Sequence, residues 1–328
     1  MHPGSRCFRK PIGGGGLLWF ITFKMRILIL GCGYVGVPLG AELVRQGHAV
    51  LGARRTAAGD EGMKAAGITP LTADLTKLSD LEGLPGPFDA VINLVSAGRR
   101  GDVDAYRQVY LEGTRNLVAW LQGKPLRKYI YTSSTGVYGQ TDGSAVKEDS
   151  PTQPARETSR VLVATEQLLQ EAARQQRFPA VILRVAGIYG PDRIYWLDQF
   201  LKKQVKLEGA GDRLMNMIHR DDLVGGLLAA LQSARAGGVY NVVDDEPAPQ
   251  LRFFRWLAET LGMGLPPFET PAESAARPPG KTNKKVLNRT LKMELGVAFK
   301  YPTFRQGYTA EIQRLDQAGR LEIPLEPR

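Results

Sequence analysis

The string Gly31-Cys32-Gly33-Tyr34-Val35-Gly36 stands directly after the apolar run Arg26-Ile27-Leu28-Ile29-Leu30 and directly before a helical pattern. That context constrains the fold more than any other feature of the chain. A continuous apolar run bounded by glycine reads as a strand buried on both faces. The first glycine permits a tight turn out of the strand, the second lets backbone approach a ligand, and the third lets helix pack closely on strand. Pro38 suits the first helical turn, where a missing N–H costs nothing. The helix then runs over 39–46 and stops at Gly47.

The same alternation continues. Further strands are expected at 49–53, 68–71, 90–95, 129–132 and 181–185, with helices near 104–122 and 157–176 between them. Strands alternating with helices predict an α/β protein: a Rossmann-like, doubly wound parallel sheet. After about 190 the rhythm breaks into short helices (196–204, 221–232, 250–262) and proline-rich loops at Pro266-Pro267 and Pro278-Pro279. The division expected is a nucleotide-binding domain over 25–190 and a smaller irregular C-terminal lobe over 191–328, with some segments returning to the first domain. Residues 1–24, with Gly13 to Gly16 and a short apolar run, read as a disordered leader or as an extension upstream of a true start at Met25. A short organelle-targeting peptide is the minor alternative, and the expected location is otherwise the cytoplasm.

Charge and cysteine usage exclude several classes. The formal net charge is +10, which suggests nucleic acid until its distribution is read. Residues 1–24 carry Arg6, Arg9, Lys10 and Lys24 without an acid, and residues 277–306 carry eight basic residues against Glu294. The rest of the chain is close to neutral, so a nucleic-acid partner is not expected. Cys7 and Cys32 are the only cysteines, and neither has a neighbour at ligand spacing, so no metal site is expected. No apolar run approaches the roughly 18 residues that span a bilayer, so no membrane partner is expected.

The glycine string predicts a dinucleotide site. Gly31, Gly33, Tyr34, Val35 and Gly36 would cradle its diphosphate at the helix N-terminus. Arg54-Arg55 ends the second strand, where an NAD site carries an acid for the ribose 2′-hydroxyl. Two arginines suit a 2′-phosphate, so NADP(H) is expected over NAD(H). Asp74 and Leu75 would meet the adenine, and Leu94, Val95 and Ser96 the cofactor ribose.

With these residues in place, the chain resembles the extended and atypical short-chain dehydrogenase/reductases, the NAD(P)-dependent epimerase/dehydratase group. The resemblance runs from about 26 to 308. It rests on GCGYVG at 31–36, GTRNLV at 113–118, YTSSTGVYG at 131–139, LRVAGIYGP at 183–191, NMIHRDDLV at 216–224, YNVVDDEP at 240–247 and KYPTFRQGY at 300–308. The late string is similar to a branch of nucleoside-diphosphate-sugar epimerase-like proteins. The resemblance implies oxidoreductase or epimerase chemistry on a hydroxyl or carbonyl of a nucleotide sugar or a similar small metabolite. It also implies a catalytic Tyr with a Lys four residues later, and those positions are Thr158 and Leu162. No tyrosine in the chain is followed four residues later by Lys. A second departure is Tyr110, where the group has Asn. Ser134 and Tyr138 are the catalytic candidates left, with Ser133, Tyr189 and His219 nearby. Asp222 is expected in a structural role, and Asp102, Asp104 and Lys147 in loops that could face the cleft. The alternative is a catalytically inactive NADP(H)-binding sensor or regulator. A small anionic or phosphorylated substrate is expected, with Lys284, Lys285 or Arg289 binding or steering it unless they form a solvated basic surface. A homodimer is left open.

Overall fold

The computed structural model describes residues 6–7, 21–22, 24–98, 102–275 and 281–324. Seven parallel strands form the central sheet: β1 (Arg26–Leu30), β2 (Ala49–Arg54), β3 (Thr69–Thr72), β4 (Ala90–Asn93), β5 (Lys128–Ser134), β6 (Ala180–Val185) and β7 (Val239–Val242). Their spatial order is β7-β6-β5-β4-β1-β2-β3. The order reverses between β1 and β4, and β1 pairs with both of its neighbours: Ile27 lies opposite Val50 of β2 on one side and Ala90 of β4 on the other. A doubly wound sheet of this order opens a crevice beyond the carboxyl ends of its strands at the reversal.

Side chains alternate across a strand, and β1 shows why its sequence is apolar throughout. Ile27 and Ile29 enter the core on one face, with Leu39, Leu43, Ile92 and Leu227. Leu28 and Leu30 enter the core on the other, with Val91, Leu117, Tyr129 and Leu169. Both faces are covered by helices, as an all-parallel sheet requires. A third core belongs to the later part of the chain, where Leu197, Phe200, Phe253, Phe254, Phe304 and Tyr308 pack together.

Six strands lie where the alternation predicts them. The seventh, Val239–Val242, comes from beyond 190 and closes one edge of the sheet beside β6. The lobe is also more helical than its prolines suggest: besides Tyr195–Leu201, Arg220–Ser233 and Gln250–Leu261 it holds Arg289–Leu295 and Phe304–Gln317. Thr303 starts the last helix in a capping box with Gln306. The expected helix near 104–122 is three pieces: Val103–Tyr106, a π-helical stretch Arg107–Glu112, and Gly113–Leu121. Most of the leader lies outside the described residues; Arg6–Cys7 and Ile21–Thr22 pair as short antiparallel strands. Among the described residues, no helix is long and apolar enough to cross a membrane.

Candidate functional site

A cleft of about 1300 Å³ opens at the carboxyl ends of the strands. The turn after β1 supplies Gly31, Gly33, Tyr34 and Val35 to it. Arg54, Arg55, Asp74 and Leu75 line one end, and Leu94, Val95 and Ser96 the wall after β4. Ser133, Ser134, Thr158, Leu162 and Ala186 line the other end. Of the residues expected at the cofactor, Gly36 alone stands outside the lining. A Cβ there would lie 3.2 Å from Gly31 O and from Ile29 Cγ2, so Gly36 sets the helix close to β1.

Gly31 holds φ +74°, and a Cβ on it would lie 2.8 Å from the Leu94 carbonyl carbon and the Val95 nitrogen. Only glycine brings the first turn this close to the wall after β4. That wall is itself fixed, because the Val95 N–H donates to Asn93 Oδ1 (3.1 Å) and Asn93 Nδ2 donates to the Tyr129 hydroxyl (3.1 Å). The loop after β3 is held by Asn116 Nδ2, which donates to Leu75 O and Thr76 O, both at 3.2 Å. Asp74 Oδ1 accepts from the backbone and hydroxyl of Thr76 at 3.0 and 2.8 Å. Cys32 lies beneath the turn, buried, and burial pushes its thiol up to about 11 despite nearby Arg54. It is a packing residue and not a nucleophile.

At the other end, Ser134 faces the cleft and its Oγ accepts from the Gly136 N–H at 3.0 Å. Ser133 Oγ donates to Glu166 Oε1 at 2.5 Å. Glu166 is buried on helix Glu157–Gln176 and takes three hydrogen bonds from the buried Arg184 of β6, the shortest at 2.7 Å. The same helix presents Thr158 and Leu162 to the cleft. No lysine and no cysteine lines the cleft among the described residues.

Several expectations are corrected. Tyr138 does not reach the cleft. Its side chain is fully buried, and its hydroxyl donates to Asn241 Oδ1 at 2.8 Å and accepts from Arg184 Nη1 at 2.9 Å. Burial holds its phenol above the ordinary range, against the Arg184 charge. Tyr138 therefore ties β5 to β6 and β7. Tyr189 packs away from the cleft, stacked on Tyr308 with ring centroids 4.5 Å apart. His219 is buried; its Nδ1 accepts from the Asp221 N–H at 3.1 Å, and Nε2 lies 3.3 Å from Glu311 Oε1. Asp222, by contrast, has the structural role expected of it, accepting from the backbone N–H groups of Lys300 and Tyr301 at 2.6 and 2.9 Å. Asp102 caps the helix start at Val103, Asp104 is exposed in that first turn, and Lys147 pairs with Asp149.

The basic segment also changes meaning. Lys284 is buried and donates to Tyr138 O and Thr282 Oγ1, Lys285 sits in a short strand beside Ala145, and Arg289 contacts Met293. None of the three lines the cleft. Lys281 pairs with Glu208, Lys292 with Asp245 and Arg305 with Glu246, so much of the segment's charge is balanced inside the lobe.

The structure adds side chains that the sequence did not single out. Arg156, Glu157 and Ser159 surround Thr158, and Tyr106, at the end of helix Val103–Tyr106, joins Tyr110 of the π-helical stretch on the cleft wall. Arg193 reaches the cleft from the lobe. The signals available were proximity to Thr158 for the first three and the LRVAGIYGP string for Arg193.

Comparison with known proteins places this geometry. The family model described as NAD dependent epimerase/dehydratase family matches residues 27–243. Protein YeeZ of Escherichia coli (strain K12) is 29% identical over 281 residues, covering 84% of this chain and 96% of that protein. The solved structure of a functionally unknown conserved protein from Silicibacter pomeroyi is 29% identical, with TM-score 0.69 and coverage of 89% of this chain and 99% of that one. UDP-glucuronic acid 4-epimerase from Bacillus cereus, solved with UDP-glucuronic acid and NAD, shares the fold at 23% identity, with TM-score 0.74 over 90% of this chain and 100% of that one.

Proposed function

The chain belongs to the NAD dependent epimerase/dehydratase family, and on that premise we propose that it is an NADP(H)-dependent oxidoreductase or epimerase-like enzyme acting on a hydroxyl or carbonyl of a nucleotide sugar or similar small metabolite. The observation that carries this reading is one continuous cleft that joins Arg54 and Arg55 at one end to Ser134 and Thr158 at the other.

The residues fit a nicotinamide dinucleotide. Gly33, Tyr34 and Val35 would hold its diphosphate, Arg54 and Arg55 its 2′-phosphate, Asp74 and Leu75 its adenine, and Leu94, Val95 and Ser96 its ribose. Bound there, the cofactor supplies or accepts hydride. The chain's own task is to orient the substrate and manage one proton. Ser134 is the hydroxyl placed to hold a substrate oxygen. Thr158 cannot act as the acid at neutral pH, because its hydroxyl titrates far above it and Leu162 brings no charge. The proton is therefore exchanged with water, with Ser134 and Thr158 as hydrogen-bonding partners. Arg156, at the same end, is the charge that suits an anionic substrate. Within this reading the protein works in the cytoplasm on a small phosphorylated metabolite.

One observation favours a second reading. Thr158 and Leu162 take the helix positions of the Tyr and Lys that the resemblance calls for, which suits a protein that binds NADP(H) and does not turn over. Titration with NADPH and NADH, followed by assay against carbonyl and nucleotide-sugar panels, separates the two. Turnover that falls in Ser134→Ala supports the enzyme. Tight NADPH binding with no turnover supports the regulator. NADH bound as tightly as NADPH removes the 2′-phosphate role of Arg54 and Arg55.

A further inference from the structure

Arg193 differs from the other basic side chains around it. Arg220 is held by Asp221, Arg314 by Glu311 and Asp192, Arg320 by Asp192, and Arg305 by Glu246. Arg193 forms no ion pair among the described residues, and it lines the cleft beside the glycine turn. Its guanidinium carbon lies 5.5 Å from the centroid of the Tyr34 ring, and Tyr34 is part of that turn. Arg220 approaches the same ring at 5.3 Å with its own charge already paired.

The segment that carries Arg193 is braced against the glycine turn. Gly190 and Arg193 exchange two backbone hydrogen bonds, at 3.3 and 2.9 Å. Asp192 between them has φ +60°, and its carboxylate is held by Arg314 at 3.5 Å and Arg320 at 3.1 Å. A Cβ on Gly190 would meet the Tyr34 hydroxyl, His219 Nε2 and Arg220 Cβ, each at 3.2 Å. The turn is thus pressed on Tyr34 from the C-terminal lobe, and little ordering is left for ligand binding to supply.

We propose that Arg193 is a diphosphate-binding residue: it reaches from the C-terminal lobe to make a charge-assisted contact with the cofactor's diphosphate, beside the N–H groups of the glycine turn. The proposal rests on the cleft being a dinucleotide site and is independent of its preference for NADP(H). An unpaired guanidinium beside a phosphate cradle matches a phosphate in both charge and fork geometry. The consequence is that a bound cofactor would contact both parts of the chain at a turn that is already in place.

Calorimetric titration of the full chain with NADP+, NAD+ and adenosine 2′-monophosphate tests this, using wild type, Arg193→Ala and Arg193→Lys. Arg193→Ala should weaken NADP+ and NAD+ by the same factor, about tenfold or more. It should leave adenosine 2′-monophosphate, which has no diphosphate, unchanged. Arg193→Lys should recover part of the loss, and the salt dependence of NADP+ binding should flatten in Arg193→Ala. Unchanged NADP+ affinity in Arg193→Ala would overturn the proposal. So would a parallel loss of adenosine 2′-monophosphate, which would mark damage to the whole cleft. Weakening of NADP+ by Arg54→Ala or Arg55→Ala with NAD+ unaffected tests the 2′-phosphate reading separately.

Discussion

Arg184 and Glu166 form a buried pair beneath Ser133, with side chains 5% and 3% exposed. Arg184 donates to Glu166 in three hydrogen bonds of 2.7 to 3.2 Å, to the Tyr138 hydroxyl at 2.9 Å and to Glu148 O at 2.9 Å. Removing one partner leaves a charge in a site that water does not reach, which costs about 3–5 kcal/mol. Glu166→Leu also strands the Ser133 hydroxyl, adding about 1 kcal/mol or more. Replacing both partners removes the uncompensated charge. Arg184→Met with Glu166→Leu should therefore lie well above either single variant in stability, giving a coupling of several kcal/mol. Urea unfolding of wild type, the two singles and the double at pH 7.5 measures the cycle. Singles that each lose less than about 1 kcal/mol, or a double that loses the sum, would refute the claim that the pair is interdependent and dry.

Lys284 gives a pH signature. Burial, with Arg156 and Arg213 adding to it, lowers its ammonium from 10.5 to about 8. The unfolded chain then binds the proton more tightly than the folded one, so stability rises as pH climbs from about 8 to about 10.5, by up to about 3 kcal/mol. Lys284→Met should lack that rise, and equal slopes in both proteins would refute the assignment. Gly31→Ala should lose NADPH binding, since a Cβ would lie 2.8 Å from the backbone at Leu94 and Val95 at φ +74°. The strain alone amounts to about 1–3 kcal/mol, and near-native affinity in that variant would contradict the close approach. Arg54→Ala and Arg55→Ala should each cost NADPH binding about tenfold or more, the value of a charge-assisted hydrogen bond. NADH affinity should not change, and an equal loss for both nucleotides would argue against a 2′-phosphate contact.

The sequence alone determined six of the seven sheet strands and the residues that line the glycine-turn end of the cleft. Both depend on local patterns: apolar runs that must be buried on two faces, and a glycine turn whose spacing leaves few other uses. Arg54, Arg55, Asp74 and Leu94 could be placed because each follows a strand, and strand ends converge at the reversal between β1 and β4. Helix Glu157–Gln176 was legible for the same reason, from its length and period. The substrate end depended on tertiary structure. Ser134 and Tyr138 are four residues apart, yet one faces the cleft and the other lies under the sheet edge against Asn241, 103 residues later. Lys284 likewise donates to Tyr138 O across 146 residues, so a cation that reads as surface charge is buried. Arg193 gained its place because a turn in the lobe packs on Tyr34. Which hydroxyls and charges remain free for a ligand is settled by partners distant in the chain, because a buried polar group must be paired and its partner is chosen by packing.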